Sequence, residues 1–286
     1  MSSPTSGWTP SPRELERRRA RARLSRNRVA LATLATVVVI GGLVATVLLS
    51  PGWERVRESF FDGFHARESL PAIVDGFWIN VKMFLIAEPL ILVIGLAIAI
   101  ARSSRSPLLV PVRGIAVIYT DVVRGIPTLL LVFLFAFGMP ALELQGVPDG
   151  PFFWATVALV VSYSAYVAEV FRSGIESVHP SQLLSAQALA LSRSQAMRHV
   201  IVPQATRRVV PPLLNDFVSL QKDTALVASV SIFDALFTAR DYANYNFNYT
   251  PYVVVACFFV AMTVPLARLC DWLAARVARR ERAGVL

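Results

Sequence analysis

Six stretches of this chain, near residues 29–49, 77–101, 113–137, 152–171, 209–233 and 251–275, are apolar over close to 20 residues or more. That repetition limits the possible folds more than any other feature. A helix needs about 20 apolar residues to cross a hydrocarbon layer about 30 Å thick. Hydrophobic residues make up 55% of the 286 positions and charged ones only 16%, too apolar a balance for a water-soluble domain of this length. The expectation is an all-α, polytopic membrane protein with about six transmembrane helices, both termini on one side. The first run, VALATLATVVVIGGLVATVLL, follows a 28-residue leader, exceeds the apolar core of a signal peptide and is not followed by a small-residue cleavage site. It reads as a retained helix.

The formal charge of +9 could serve nucleic acid, an anionic lipid surface or membrane topology, and position separates these. Eight arginines lie between Arg13 and Arg28. Three more are Arg102, Arg105 and Arg113, five are Arg172, Arg193, Arg198, Arg207 and Arg208, and four are Arg276, Arg279, Arg280 and Arg282. In a six-helix arrangement all four clusters share one side, while the opposite connections hold only Arg55, Arg57, Arg67 and Arg240. Basic residues mark the cytoplasmic side, so both termini are expected there. The arginines follow the membrane period and are not interleaved with stacking aromatics, which excludes nucleic acid as their main purpose. The leader has the composition to touch anionic lipid.

Cys257 and Cys270 sit in one apolar run, and His65, His179 and His199 are scattered, so no local metal or redox motif is present. Metal is expected to be absent.

Between the fourth and fifth runs lies HPSQLLSAQALALSRSQAMRHVIVPQATRRVVPP, residues 179–212, which is too polar to cross a membrane. Pro180 suits the first turn of a helix over SQLLSAQALAL. Ser192 and Gln195 have the spacing of a capping box, in which two side chains satisfy exposed backbone donors, so a second helix should begin there. Pro203 should end it, because Val202 before it is pushed toward extended geometry. Leu183, Leu184, Leu191, Met197, Val200 and Ile201 give the pair apolar faces. Either these faces lie in a groove of a partner protein or they pack on their own bundle.

This segment resembles the cytoplasmic EAA loop of permease subunits of ATP-binding-cassette importers, with pattern E-A-A, three residues, Gly, nine residues, I-x-L-P. Leu184, Ser185 and Ala186 stand at its opening, Ala190 at the glycine, and Val200, Val202 and Pro203 at its end. DVVRGIPTLLLVF (121–133), SAYVAEVFRSGIESV (164–178) and PPLLNDFVSLQKDTALVASV (211–230) resemble three further blocks of polar amino-acid permeases in the same order. The resemblance implies a type I importer permease fold over residues 71–277, with its cytoplasmic EAA-type loop at 173–208. Residues 29–70 would then be an extra N-terminal transmembrane helix and external loop, 1–28 a disordered basic arm and 278–286 a basic tail.

The same resemblance implies that the chain forms the translocation path for a polar amino acid and couples through residues 179–203 to cytoplasmic ATPases. Leu183, Leu184, Ser185, Ala186, Ala190, Leu191, Ser192, Val200 and Pro203 would face the ATPase. A second permease subunit, two ATPase subunits and an extracytoplasmic binding protein are the implied partners. If Ala190 takes the left-handed conformation of the family's glycine, the cost is about 1 kcal/mol.

Charged side chains in hydrocarbon cost several kcal/mol and face a bundle interior or a watery cavity. In the fifth run Asn215, Asp216, Ser219, Lys222 and Asp223 recur at helical spacing as a stripe expected to face the bundle centre, with Thr224 beside it. Asp121 with Arg124, and Glu169 with Arg172, are spaced to pair within their helices. Such groups are either neutralised pairs that fix helix register or parts of the path. A zwitterionic amino acid wants an acceptor such as Asp216 and a donor such as Arg124 or Lys222. Glu88 and Pro89 should kink the second helix. The aromatic, amide-rich FTARDYANYNFNYTPY (237–252) reads as an interfacial belt or an external docking surface.

The chain has no G-x-x-x-x-G-K-[ST], so it is expected to bind no cofactor, to be no enzyme, and to rely on ATP used by a partner. The rival reading is an autonomous secondary transporter or channel for a small polar solute, whose acidic residues would carry coupling ions.

Overall fold

The computed structural model describes residues 11–104 and 106–283; Arg105, the first ten residues and the last three lie outside the described residues. It divides into two units, residues 1–58 and 59–286.

The first unit is dominated by α1, Pro12–Leu48. Ser11 accepts the Glu14 N–H at 3.3 Å and Pro12 occupies the first turn, where its missing N–H costs nothing. The helix continues without a break into Ser25–Leu48, 24 residues with a mean hydropathy of 2.4 whose large apolar side chains are exposed. The expected disordered arm is therefore corrected over residues 12–28, which are helical turns; capping and good helix formers extend the apolar helix backward. A short helix α2, Trp53–Phe60, follows and contains the division between the units.

The second unit is built on α3, Gly63–Ser103, which at 41 residues is about 60 Å long. Asp62 starts it by accepting the Phe64 and His65 N–H groups at 2.7 and 3.2 Å. Against it packs α6, Pro151–Glu176, through Met83, Ala87 and Ile91 on one side and Ala155, Leu159, Tyr163 and Val167 on the other. Gly95 allows the closest approach, since a Cβ there would meet Val167 Cγ1 at 2.6 Å.

The third apolar run is not one helix, as expected, but α4, Val110–Gly125, and α5, Thr128–Phe133, in a span bent by 105°. Pro127 causes the break by holding Ile126 in extended geometry, φ −102° and ψ 130°. A π turn, Leu134–Gly138, continues α5.

The loop after α6 carries α7, Pro180–Ala188, and α8, Arg193–Ala196. A π turn, Met197–Ile201, then leads straight into α9, Val202–Asp223. Pro203 therefore opens α9 and does not end the preceding helix. In a first turn its missing N–H is tolerated, and the wide π turn before it already interrupts the regular ladder.

After α9 a 3₁₀ turn, Thr224–Val230, reaches α10, Ala235–Asn246, and then α11, Thr250–Ala283. Gly76 of α3 meets the start of α10 closely, and the buried Asn80 and Asp234 side chains bond there at 2.9 Å.

Among the described residues four helices are long and apolar enough to cross a membrane, or five with the bent pair as one span. The expected sixth, over residues 209–233, is the exception. Polar α9 and a 3₁₀ turn occupy it, because Asn215, Asp216, Lys222 and Asp223 dilute its hydropathy.

Candidate functional site

Glu169 of α6 is the centre of a charged cluster. Arg172, one turn on, pairs with it as the spacing predicts, and also pairs with Glu176. Arg102 at the end of α3 reaches Glu169 Oε2 at 2.9 Å and Thr120 of α4 at 2.8 Å. Arg124 approaches the same oxygen at 3.7 Å and lies over the Tyr166 ring, 5.7 Å from its centroid. The expected Asp121–Arg124 pair is thus not formed. Asp121 is exposed on α4, while the arginine turns toward α6, where a carboxylate shared with other cations and an aromatic face attract it. One carboxylate joins cations from three helices.

The polar stripe of α9 divides. Leu220, Gln221 and Thr224 form the buried face: the Thr263 hydroxyl donates to Gln221 Oε1 at 2.6 Å, and Thr224 donates to the Gln221 carbonyl at 2.8 Å. Asp216, Ser219 and Asp223 are half-buried along its edge, and Asn215 and Lys222 are exposed. The stripe therefore borders the bundle and does not face its centre. An apolar and amide face of α9 fills that place, packing with Tyr163 of α6 and Met262 of α11 among others. Asp223 accepts the Tyr163 hydroxyl at 2.7 Å, and Asp216 keeps a buried Oδ2 without a hydrogen-bond partner among the described residues.

Arg124, Tyr166, Glu169, Arg208 and Asp216 line one cavity of about 410 Å³ between α4, α6 and α9. It sets a guanidinium and a carboxylate in one space, and it leaves out Lys222, Ser219 and Asp121. Sequence reasoning missed Arg102 and Tyr163, whose partners lie 67 and 60 residues away. No local spacing signals either contact.

In the loop, His179 caps α7 by accepting the Ser181 N–H at 3.2 Å. Ala190 has φ 58°, the left-handed conformation. Its N–H bonds the Gln187 carbonyl at 2.9 Å and the Leu191 N–H bonds the Ala186 carbonyl at 3.1 Å, which is a Schellman turn with alanine in the glycine position. The capping box then forms as the spacing predicts: Ser192 N–H to Gln195 Oε1 at 2.9 Å and Gln195 N–H to Ser192 Oγ at 3.3 Å.

The apolar faces of the loop separate. Ala186 and Ile201 are buried, and Val200 is half-buried against Val178 and Ala205. Leu184, Ser185, Ala190, Ser192 and Pro203 are exposed and Leu191 is half-buried; the Leu183 and Met197 side chains lie outside the described residues. Arg208 ties the loop down by donating to the Ser177 carbonyl.

Comparison with known proteins places this arrangement. Residues 91–279 match the family described as binding-protein-dependent transport system inner membrane component. A probable glutamine ABC transporter permease of Bacillus subtilis, GlnM, is 34% identical over 209 residues, 72% of this chain and 93% of that protein. The arginine transport system permease ArtQ of the same organism is 29% identical over 187 residues, 65% of this chain and 83% of its own length. The crystal structure of an amino acid ABC transporter with histidines superposes with a TM-score of 0.68 at 29% identity, covering 75% of this chain and 98% of that one. The inward-facing MetNI methionine transporter, at 16% identity and a TM-score of 0.60, shares the fold. An all-helical chain with this loop, this broken span and a match across about two thirds of its length belongs to the family of binding-protein-dependent transport system inner membrane components.

Proposed function

We propose that the chain forms half of the pore of an ATP-driven importer of a polar amino acid. The observation that carries this reading is the cavity in which Arg124 and Asp216 line one space. An amino acid's carboxylate and ammonium need those opposite partners. The polar edge of α9 supports a two-subunit pore, because half-exposed Asp216, Ser219 and Asp223 on a helix packed among apolar spans need a watery path or a partner beside them. A second permease subunit, of the same or a different chain, supplies the facing wall. Asp121, Lys222 and Thr224 complete the set assigned to the path; Thr224 positions Gln221 from within the core.

Two cytoplasmic ATPase subunits bind and hydrolyse ATP, and an extracytoplasmic binding protein delivers the substrate. The chain itself binds no cofactor. Both termini and the 179–203 loop are cytoplasmic, as the arginine distribution supports. Exposed Leu184 and Leu189 of the loop enter an ATPase groove, so closure of the ATPases tips the pore between outward and inward access.

The test is uptake by proteoliposomes holding the chain with its ATPase and binding protein. Asp216→Asn should lower uptake at least tenfold and abolish substrate-stimulated ATP hydrolysis while basal hydrolysis persists. Unchanged uptake would remove Asp216 from the path, and uptake driven by an ion gradient without the ATPase would replace the importer by a secondary carrier.

A further inference from the structure

We infer that the arginine-rich opening of α1, residues 13–28, is a docking surface for the headgroups of anionic phospholipids. It lies outside the matched residues 91–279, so the transport function does not account for it.

The argument begins with continuity. Residues 12–28 and the apolar Ser25–Leu48 stretch are one unbroken helix, so the rise per residue fixes how far each arginine lies from the hydrocarbon edge. With that edge at Val29, Arg28 and Arg26 fall within about 5 Å of it and Arg21 lies about 12 Å from it. The headgroup layer on one side of a bilayer is about 5–7 Å deep. Arg28 and Arg26 therefore stand at phosphate depth, and Arg21 lies a few ångströms beyond it. Arg18, Arg17 and Arg13 lie about 17 to 24 Å from the edge, the outer part of the lipid field.

The charges are also distributed to meet headgroups around the helix. Arg13, Arg17 and Arg21 recur every four residues and Arg28 lies seven further on, which aligns them in one ridge; Arg18 and Arg26 point to other sides. The described arginine side chains of this stretch are exposed. The only acids, Glu14 and Glu16, stand at the far end, where Glu14 pairs with Arg18 at 3.1 Å. From residue 17 to residue 28 there is no acid to offset the field.

Guanidinium binds phosphate with two parallel hydrogen bonds, and each basic residue near an anionic leaflet strengthens binding about fivefold. Residues 11–28 contain no aromatic side chain on which a base could stack, so the surface suits phosphodiester headgroups better than single-stranded nucleic acid.

The test uses the full-length chain in neutral detergent, mixed with equal amounts of phosphatidylglycerol and phosphatidylcholine; the lipid retained after gel filtration is counted. Phosphatidylglycerol should exceed phosphatidylcholine at least tenfold at 50 mM salt and fall toward parity at 0.5 M. Changing Arg21, Arg26 and Arg28 to Gln should remove more of the excess than changing Arg13, Arg17 and Arg18 to Gln, and Lys at the same positions should keep it. Two separate triples keep the result readable if a sixfold variant fails to insert. Parity for the wild-type chain, or two Gln triples that retain as much as wild type, would overturn the inference. Co-eluting nucleic acid with lipid at parity would reassign the surface to a polyanion in solution.

Discussion

The closed side of α3 and the open edge of α9 solve opposite problems within one unit. Along α3, Gly76 and Gly95 let α10 and α6 approach until no Cβ fits, and the contact is sealed by Met83, Ala87, Ile91, Leu159 and Val167. Helices in lipid gain little from hydrophobic association, so close backbone approach and dispersion hold such an interface. Along α9, Asp216, Ser219 and Asp223 stay half-exposed and only Asp223 has its carboxylate met by a neighbouring helix, at Tyr163. Among apolar membrane spans such an edge is tolerated only beside water or a partner. The difference assigns rigidity to α3, α6 and α10 and leaves the charged edge available for a path whose contents change.

The sharpest way to break this comparison is Gly76→Ala. The added methyl would sit 2.6–2.8 Å from backbone atoms of Asp234 and Ala235, which cannot rotate away. Loss of about 3 kcal/mol is expected, the upper end of what overpacking costs, read as a lower Tm of the purified chain. Gly114→Ala supplies the contrast: nothing lies within 4 Å of it in α4, so removing a helical glycine should stabilise by up to about 1 kcal/mol. Equal effects at the two positions would show that α3 is not closed.

Next in size is Glu169→Ala, made where the closed scaffold passes into the loop. The variant leaves Arg102 without its carboxylate in a largely buried place, its side chain being 11% exposed, whereas Arg172 keeps Glu176 and the Arg124 side chain is 39% exposed. An uncompensated buried charge costs about 3 kcal/mol, and Glu169→Gln should recover part of it through hydrogen bonds. A loss below about 0.5 kcal/mol in thermal or denaturant unfolding would mean that the arginines find water instead.

Local signals were readable in the sequence and distant ones were not. The Ser192–Gln195 box, the Pro180 start and the Glu169–Arg172 pair depend on residues two to four apart, and all three form. The stripe was read correctly as a helical feature. Its spacing says nothing about which neighbour covers it, so the covered face proved to be Leu220 and Gln221. The break before Pro127 did have a signal, Gly-Ile-Pro inside an apolar run, but a hydropathy average hides it. Pro203 misled because a proline after a helical segment can equally open the next helix, and only the π turn decides. The cluster around Glu169 depends on Arg102, 67 residues away, which reads alone as a topology signal.

The smallest effect expected, and the only one that should raise stability while bearing on coupling, is at Ala190. Its φ of 58° puts a Cβ where the chain prefers none, and the Schellman bonds at 2.9 and 3.1 Å hold it there. A left-handed alanine costs about 1 kcal/mol, while glycine adds backbone freedom to the unfolded chain that takes back a few tenths. Ala190→Gly should therefore raise stability by about 0.5 kcal/mol and leave α7 where it is. The two outcomes for transport separate the closed scaffold from the loop. If the strain serves only to shape the turn, uptake coupled to ATP hydrolysis stays as it was. If the alanine stiffens the lever between α7 and α8, the glycine variant will hydrolyse more ATP per substrate moved, because a looser turn transmits less of the ATPase motion to α9. Destabilisation by Ala190→Gly would mean that the turn gains from the alanine methyl, and the loop would then belong with the closed side of the molecule.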